Sequence, residues 1–323
     1  MIEKDARPQV TIVIPTHDRP HLVDRAVRSS LAQDQASVEV IVVDDGSMPP
    51  YGPSVPDERL RVFRLDESKG GNAARNLGLA HARGEWITFL DDDDEMYPHM
   101  VRTSLEAAAR STLPPPISVL TAIEVVDEAG SVVNVRLPVT MPKGRHYSLE
   151  RAPEGRTFLT QNTLLVRVDL IREIGGWDES IRTWDHDDLF LRLNPASSLV
   201  GVDVTTYRMH THSGPRVHED TLRSAISIER TLRKHRDTFR RHRRRRAKMT
   251  ASAGMYYLRS GRWGPAVAAT TRAVLIDPLR PKLLGWWFAC LLGPRLALPL
   301  GRAVRRVRGV PGRDELERRV TPA

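Results

Sequence analysis

The chain has 323 residues, 40% hydrophobic and 28% charged, with one cysteine and a net charge of +9. That composition excludes a disordered or disulfide-stapled chain and allows one large core, or a catalytic domain with an appendage. Residues 223–246 hold eleven Lys/Arg against two acids and the rest sum to neutrality, so overall charge gives no argument for nucleic-acid binding.

Met1 to Gln9 carries no apolar signal-peptide core, so a cytoplasmic protein is expected. The β-branched run Val10 to Pro15 predicts a central strand. The turn Thr16-His17-Asp18-Arg19 leads to Pro20, a good first helical residue, with Asp18 as a nearby cap. Leu22, Val23, Ala26, Val27 and Leu31 then recur at helical spacing. Val38 to Val43 predicts a second strand, ending in Asp44-Asp45-Gly46-Ser47, and Arg61 to Leu65 a weaker third. Gly70-Gly71-Asn72 opens a helix that stops at Gly84. Trp86 to Leu90 is the fourth strand, followed directly by Asp91-Asp92-Asp93-Asp94. Apolar strands alternating with helices predict an α/β fold, a three-layer mostly parallel sheet.

Further along, the pattern predicts a hairpin over 117–136, a loop over 138–156, a strand from Asn162 to Val166 and a short helix from Val168 to Ile174. A helix carrying Leu189 to Leu193 follows, then one or two strands from Leu199 to Met209. Composition shifts after residue 222, which suggests domains at 1–222 and 223–323. The second part reads as a basic helix over 223–249, a helical hairpin over 250–281 and an apolar run over 283–300, broken by Pro294 and Arg295.

Four adjacent carboxylates repel one another, so Asp91–Asp94 is costly unless a cation or a donor-rich ligand shares the site. The C-terminal ends of parallel strands are where open α/β sheets place ligands. Asp18, Asp44/Asp45 and Asp91–Asp94 all fall at such ends, which implies one polar cleft for a metal or a sugar. Mg2+ and Mn2+ suit it, because they take one or two carboxylates plus substrate phosphates. The plain alternatives are a solvated acidic loop at 91–94 and a capped turn at Asp45.

Taken in order, VTIVIPTHDRP, VEVIVVDDGS, GGNAARNLGLAHARGEWITFLDDDD and GGWDESIRTWDHDDLFLRL resemble the family 2 glycosyltransferases of GT-A fold, over about residues 8–215. The resemblance implies that Pro15, Thr16 and Asp18 lie along a nucleotide, and that Asp45 or Asp44 accepts a hydrogen bond from a uracil-type base. It implies that Gly70, Asn72, Arg75 and Asn76 close over base and phosphates. Asp91 and Asp93 match the outer acids of a D-x-D element, with Asp91 or Asp92 on the ribose and Asp93, with Asp91 as a further candidate, on the divalent metal (Mn2+ or Mg2+). His210 and His212 fall near the expected diphosphate, His210 as a further candidate ligand of the metal. Family members carry Glu-Asp where this chain has Asp185-His186-Asp187-Asp188, so the base is either Asp185 with His186, or Asp187.

The expected activity is inverting transfer of a sugar from a nucleotide-diphosphate sugar, with a lean to UDP, onto a hydroxyl of a glycan or glycolipid acceptor in surface polysaccharide synthesis. The basic stretch with Trp286, Trp287 and Phe288 suits peripheral contact with the anionic inner face of the cell membrane, against the alternative of a solvated helix beside a core helix. Nucleic acid is not an expected partner, because Phe239 is the only aromatic among the arginines. Two rivals remain. A nucleotidyltransferase would carry a Gly-rich, Lys-bearing loop where Thr16–Arg19 stands, and a non-catalytic scaffold would tolerate the histidine at position 186.

Overall fold

The computed structural model describes residues 7–34, 37–146, 149–211 and 220–293. It divides into two compact units, Met1–Ser213 and Gly214–Ala323. The composition shift had placed that division at 222/223, inside the first turn of a helix that starts at Thr221.

In the first unit, strand β1 (Val10–Thr16) leads through Pro20 at the first helical turn into α1 (Pro20–Leu31), then β2 (Val38–Asp44) and β3 (Leu60–Arg64). Helix α2 (Gly71–His81) precedes β4 (Trp86–Phe89), β5 (Glu95–Met96) and α3 (Met100–Arg110). Next come β6 (Ile117–Val126), β7 (Val132–Arg136), β8 (Val166–Arg167), α4 (Val168–Glu173), α5 (Asp185–Ala196) and β9 (Ser198–His210).

The main sheet runs β3-β2-β1-β4-β8, parallel except at the last pairing. Side-chain alternation splits its core in two. Val10, Ile12 and Ile14 join Val23, Val27 and Val101 on the face covered by α1 and α3. Val13, Ile87 and Phe89 join Ala74, Ile171, Leu189 and Phe190 on the face covered by α2, α4 and α5. This is the expected three-layer, mostly parallel α/β sheet. Helix α2 presses directly on β1: a Cβ at Gly78 would lie 2.4 Å from Val13 Cγ1, so only glycine allows that approach.

Register fixes the working edge. Thr16 lies opposite Asp44, Val13 lies opposite Phe89, and the Leu90 N–H donates to the Val13 carbonyl at 3.0 Å. The C-terminal ends of β1, β2 and β4 therefore lie side by side. A second sheet, β5-β9-β6-β7, pairs Glu95 with Arg208 and Met96 with Tyr207, bringing the end of β9 against the acid run. The strand expected at Asn162–Val166 forms only in its second half, where Leu165 bridges Val119 and Val166 opens β8; its first half belongs to a buried 3-10 turn, Gln161–Thr163. There the Thr163 hydroxyl donates to the Thr121 carbonyl and accepts from the Thr121 N–H, at 3.1 and 3.3 Å.

The second unit is helical: α6 (Thr221–Lys234), α7 (Arg236–Arg241), α8 (Arg243–Arg259), α9 (Trp263–Ile276) and α10 (Pro281–Leu292). The single basic helix expected over 223–249 is broken at His235 and His242. Small residues carry the packing: Ala247, Ala251 and Ala273 are buried with Leu283, and a Cβ at Gly254 would meet Thr270 at 2.6 Å. Among the described residues no helix is long and apolar enough to cross a membrane. The part of the expected apolar run beyond Gly293 lies outside the described residues.

Candidate active site

The acid run at the end of β4 alternates in burial, with Asp92 and Asp94 enclosed and Asp91 and Asp93 partly open. Thr16 donates its hydroxyl to Asp92 at 2.7 Å, tying the ends of β1 and β4 together. Arg19 reaches both Asp92 (3.3 Å) and Asp93 (2.9 Å), and Arg25 donates to the Asp93 carbonyl. Asp94 accepts from the Tyr207 hydroxyl at 2.7 Å and from the His210 N–H at 2.9 Å. These donors do not match the crowding. Burial raises Asp92 to about 6 despite Thr16, with Asp93 adding to the rise, and burial beside Asp91 and Asp93 puts Asp94 well above the usual carboxylate range.

Asp44 and Asp45, at the end of β2, are used differently. Asp44 accepts from the Ser47 N–H (2.8 Å), the Tyr51 N–H (3.0 Å) and Arg64 (2.6 Å). Burial works against its charge, but the bonds from Ser47, Tyr51 and Arg64 together hold it below the usual carboxylate range. Asp45 accepts from the Lys69 and Gly70 N–H groups at 2.7 and 2.8 Å and from the Ser68 hydroxyl at 2.9 Å. Both were candidates for the base-binding acid. Asp44 braces the turn after β2, and Asp45 shapes the 68–70 segment that starts α2.

Asp18 does not cap α1. Its carboxylate accepts from the Met48 N–H at 2.8 Å, and Arg19 stands at the cap position without a side-chain cap bond. Asp18 (φ 53°) and Trp184 (φ 59°) are the non-glycine residues with positive φ among the described residues, and both lie in turns that present candidate residues. Pro15 is half-buried in β1 opposite Val43.

Helix α2 organises the other side. Gly70 (φ 93°) is its cap residue. Asn72 does not face outward but donates to the Ile181 carbonyl at 2.7 Å, and Asn76 exchanges bonds with the Trp177 backbone at 2.8 and 2.9 Å. These two amides clamp the Gly175–Ile181 segment that delivers α5. Arg75, nearly buried, lies 2.9 Å from Asp91 and 3.8 Å from Asp185. One guanidinium thus spans the D-x-D element and the start of α5. The helix turns Asp187 and Asp188 inward, Asp188 onto Arg192 at 2.7 Å, and leaves Asp185 and His186 partly exposed near Trp184. Asp187 is thereby enclosed, unlike the other two candidates for the base.

Three contributors went unread in the sequence. Arg19 is the counter-charge of Asp93. Asn162 donates to Asp91 (2.8 Å) and to the Tyr207 hydroxyl (3.2 Å), and Tyr207 carries that chain on to Asp94. The signal for Arg19 was its place in the turn after β1. Tyr207 reaches the site through the second sheet, and Asn162 through the 3-10 turn that Thr163 ties to β6.

His210 does not join Asp91 and Asp93. Its Nε2 lies 3.3 Å from Glu95, and burial with the nearby Arg25 lowers its pKa. His212 lies outside the described residues. Among the described residues no three His, Cys, Asp or Glu side chains gather as a metal cage. Asp91 and Asp93 do fit the mode in which one or two carboxylates hold Mg2+ or Mn2+ and substrate phosphates complete the shell. They are the partly open members of a run whose excess negative charge a cation would relieve.

Residues 11–129 match the family described as Glycosyl transferase family 2. The match lies within the first unit and covers just over a third of the chain. The chain is 41% identical over 107 residues to the succinoglycan biosynthesis protein ExoO of Rhizobium meliloti, covering 32% of this chain and 31% of that protein. It is 36% identical over 107 residues to a Campylobacter jejuni GalNAc(5)-diNAcBac-PP-undecaprenol beta-1,3-glucosyltransferase, covering 31% and 35%. The chain thus spans about a third of the length of these curated relatives. Residues 1–349 of S. aureus TarS in complex with UDP-GlcNAc superpose with a TM-score of 0.53 at 15% identity, covering 88% of this chain and 79% of that one. That likeness shows the fold of the glycosyltransferase domain, a GT-A-type sheet.

Proposed function

We propose that this protein transfers a sugar from a nucleotide-diphosphate sugar to a hydroxyl of a glycan or glycolipid, with inversion at the anomeric carbon, in polysaccharide or glycolipid synthesis. The observation that carries the reading is the cluster joining β1, β4 and α5: Thr16, Arg19, Arg75, Asp91, Asp92, Asp93 and Asp185 are linked by successive contacts at one sheet edge. A uridine diphosphate donor is the first choice, supported by the fold shared with TarS, whose structure contains UDP-GlcNAc.

Asp93 and Asp91 would hold the divalent ion. When bound, that ion neutralises the charge growing on the diphosphate as the glycosidic bond breaks. The protein's own residues do the rest. Arg19 and Arg75 set the carboxylates of the run and balance their charge. Asp185 or His186, partly exposed at the start of α5, takes the proton of the acceptor hydroxyl. Trp184, exposed beside His186, offers an aromatic face to the acceptor. A glycolipid acceptor would place the reaction at a membrane surface, in this reading its cytoplasmic face.

Incubation with UDP- and GDP-sugars and Mn2+ should release nucleoside diphosphate for at least one donor, and Asp185→Asn or His186→Ala should lower that rate by about 10²–10⁴-fold. Absence of both donor binding and nucleotide release across the panel would refute the reading. Loss in Asp187→Asn, with Asp185→Asn and His186→Ala fully active, would move the base to Asp187.

A further inference from the structure

Helix α10 has an unusual surface. Leu283 and Cys290 are buried, as expected for a packing stripe. The opposite stripe, Leu284, Phe288, Leu291 and Leu292, recurs at i, i+4, i+7 and i+8 and faces solvent without a charged residue among them. Phe288 is 63% exposed. At the corner between α9 and α10, Leu275 is 74% exposed and Leu279 90% exposed. Trp263, 53% exposed, is pinned beside α10 by its indole N–H, which donates to the Cys290 carbonyl at 2.7 Å. A surface helix normally offers water a polar face, so an apolar one this continuous marks a contact surface.

Cations frame it. Arg243 donates to the Ile276 carbonyl, next to Leu275. Arg280 stands between Leu279 and α10, paired with Asp277 at 3.1 Å. Lys282, the one charge on α10, lies 5.3 Å from the Trp286 ring centroid. Residues 220–293 carry seventeen Lys/Arg against four Asp/Glu. A second copy of the chain would set this positive unit against its like, whereas an anionic lipid surface complements it.

We propose that the exposed face of α10, with Leu275, Leu279 and Trp263, docks the protein on an anionic membrane surface. The twelve residues of α10 span about 18 Å, short of the roughly 30 Å hydrocarbon core, so the helix lies in the interface with its leucines and Phe288 in the acyl boundary. Arg243, Arg280 and Lys282 meet the lipid phosphates. The inference deepens the membrane-surface part of the proposed function, yet lipid binding without donor or acceptor can fail or succeed independently of transfer.

The test is co-sedimentation of the full chain with vesicles of phosphatidylglycerol and phosphatidylcholine in equal parts, and with phosphatidylcholine alone. Binding should be at least about tenfold stronger to the anionic vesicles and should weaken in high salt. The combined variant Leu284→Ser, Phe288→Ser, Leu291→Ser should lose at least about tenfold, and Arg280→Gln with Lys282→Gln a smaller factor. Bromine-labelled acyl chains should quench tryptophan emission of the unaltered chain, a readout that does not depend on the variants folding. Equal binding by the serine variant, or no binding and no quenching with the unaltered chain, overturns the proposal. So does a concentration-dependent dimer that the serine variant dissociates, which would make the face an interface between copies.

Discussion

The ends of β2 and β4 both carry adjacent aspartates on the same sheet edge, and the fold treats them oppositely. Asp44 is buried and receives three donors, which hold its carboxyl below the usual range in spite of that burial. Asp92 receives Thr16 and a share of Arg19, and heavier burial, with Asp93 beside it, raises it to about 6. Acids side by side at a strand end are therefore no mark of a ligand site in themselves. The mark is an acid cluster that the protein leaves short of donors, so that something from outside improves it.

The widest separation should come from Asp93→Asn against Asp44→Asn. Asp93→Asn should cut nucleotide-sugar turnover by about 10²–10³-fold while leaving the denaturation midpoint nearly unchanged, since its loss relieves a crowded charge. Asp44→Asn should do the reverse. It removes a buried charge from Arg64 and two N–H groups, and should cost about 2–3 kcal/mol of stability in urea titrations, with turnover per folded molecule retained. If Asp44→Asn folds normally and is inactive, the two strand ends are alike and the contrast is lost.

Acid titration of the chelator-treated protein sharpens the same contrast at smaller amplitude. The folded Asp92 binds its proton more tightly than the unfolded chain does, so it adds stability below its ordinary value of 3.8, and that contribution is lost as pH rises through about 6. Asp44 has the opposite sign: its contribution is present above 3.8 and is lost as pH falls through its depressed folded value. Asp92→Asn should therefore be more stable than the unaltered protein near neutral pH, by about 1–3 kcal/mol, with the gain vanishing at about pH 4. A gain that is constant across pH would mean Asp92 is not the strained group.

Legibility in the sequence followed the range of the interactions. The strands Val10–Thr16, Val38–Asp44 and Trp86–Phe89 were readable because each is a near-continuous apolar run closed by a turn signal. Their parallel order brought the C-terminal ends of β1, β2 and β4 to one edge, as expected; the Thr16–Asp92 bond there was not foreseen. What stayed hidden depends on pairing between distant segments. The two-residue strand Glu95–Met96 has no period of its own and exists because β9 lies beside it. Helix Met100–Arg110 follows the acids and Pro98 without a side-chain cap bond, so no start signal announced it. The resemblance set Asn72 in the segment over base and phosphates, and no local pattern shows that its amide donates to the Ile181 carbonyl 109 residues away.

The finest division runs within the acid run itself. Asp94 is contiguous with the open acids, yet like Asp44 it is enclosed and spends its oxygens on the protein, here on the Tyr207 hydroxyl and the His210 N–H. If it belongs with Asp44 in function, Tyr207→Phe should act on stability. The substitution leaves the ring in place and removes one hydroxyl, which also accepts from Asn162 at 3.2 Å. The expected cost is about 1–2 kcal/mol, read as a lower denaturation midpoint, with turnover and donor affinity changed less than about threefold. Should turnover instead drop with the midpoint unmoved, the chain from Asn162 through Tyr207 to Asp94 orients Asp91 for catalysis, and Asp94 belongs with its neighbours after all.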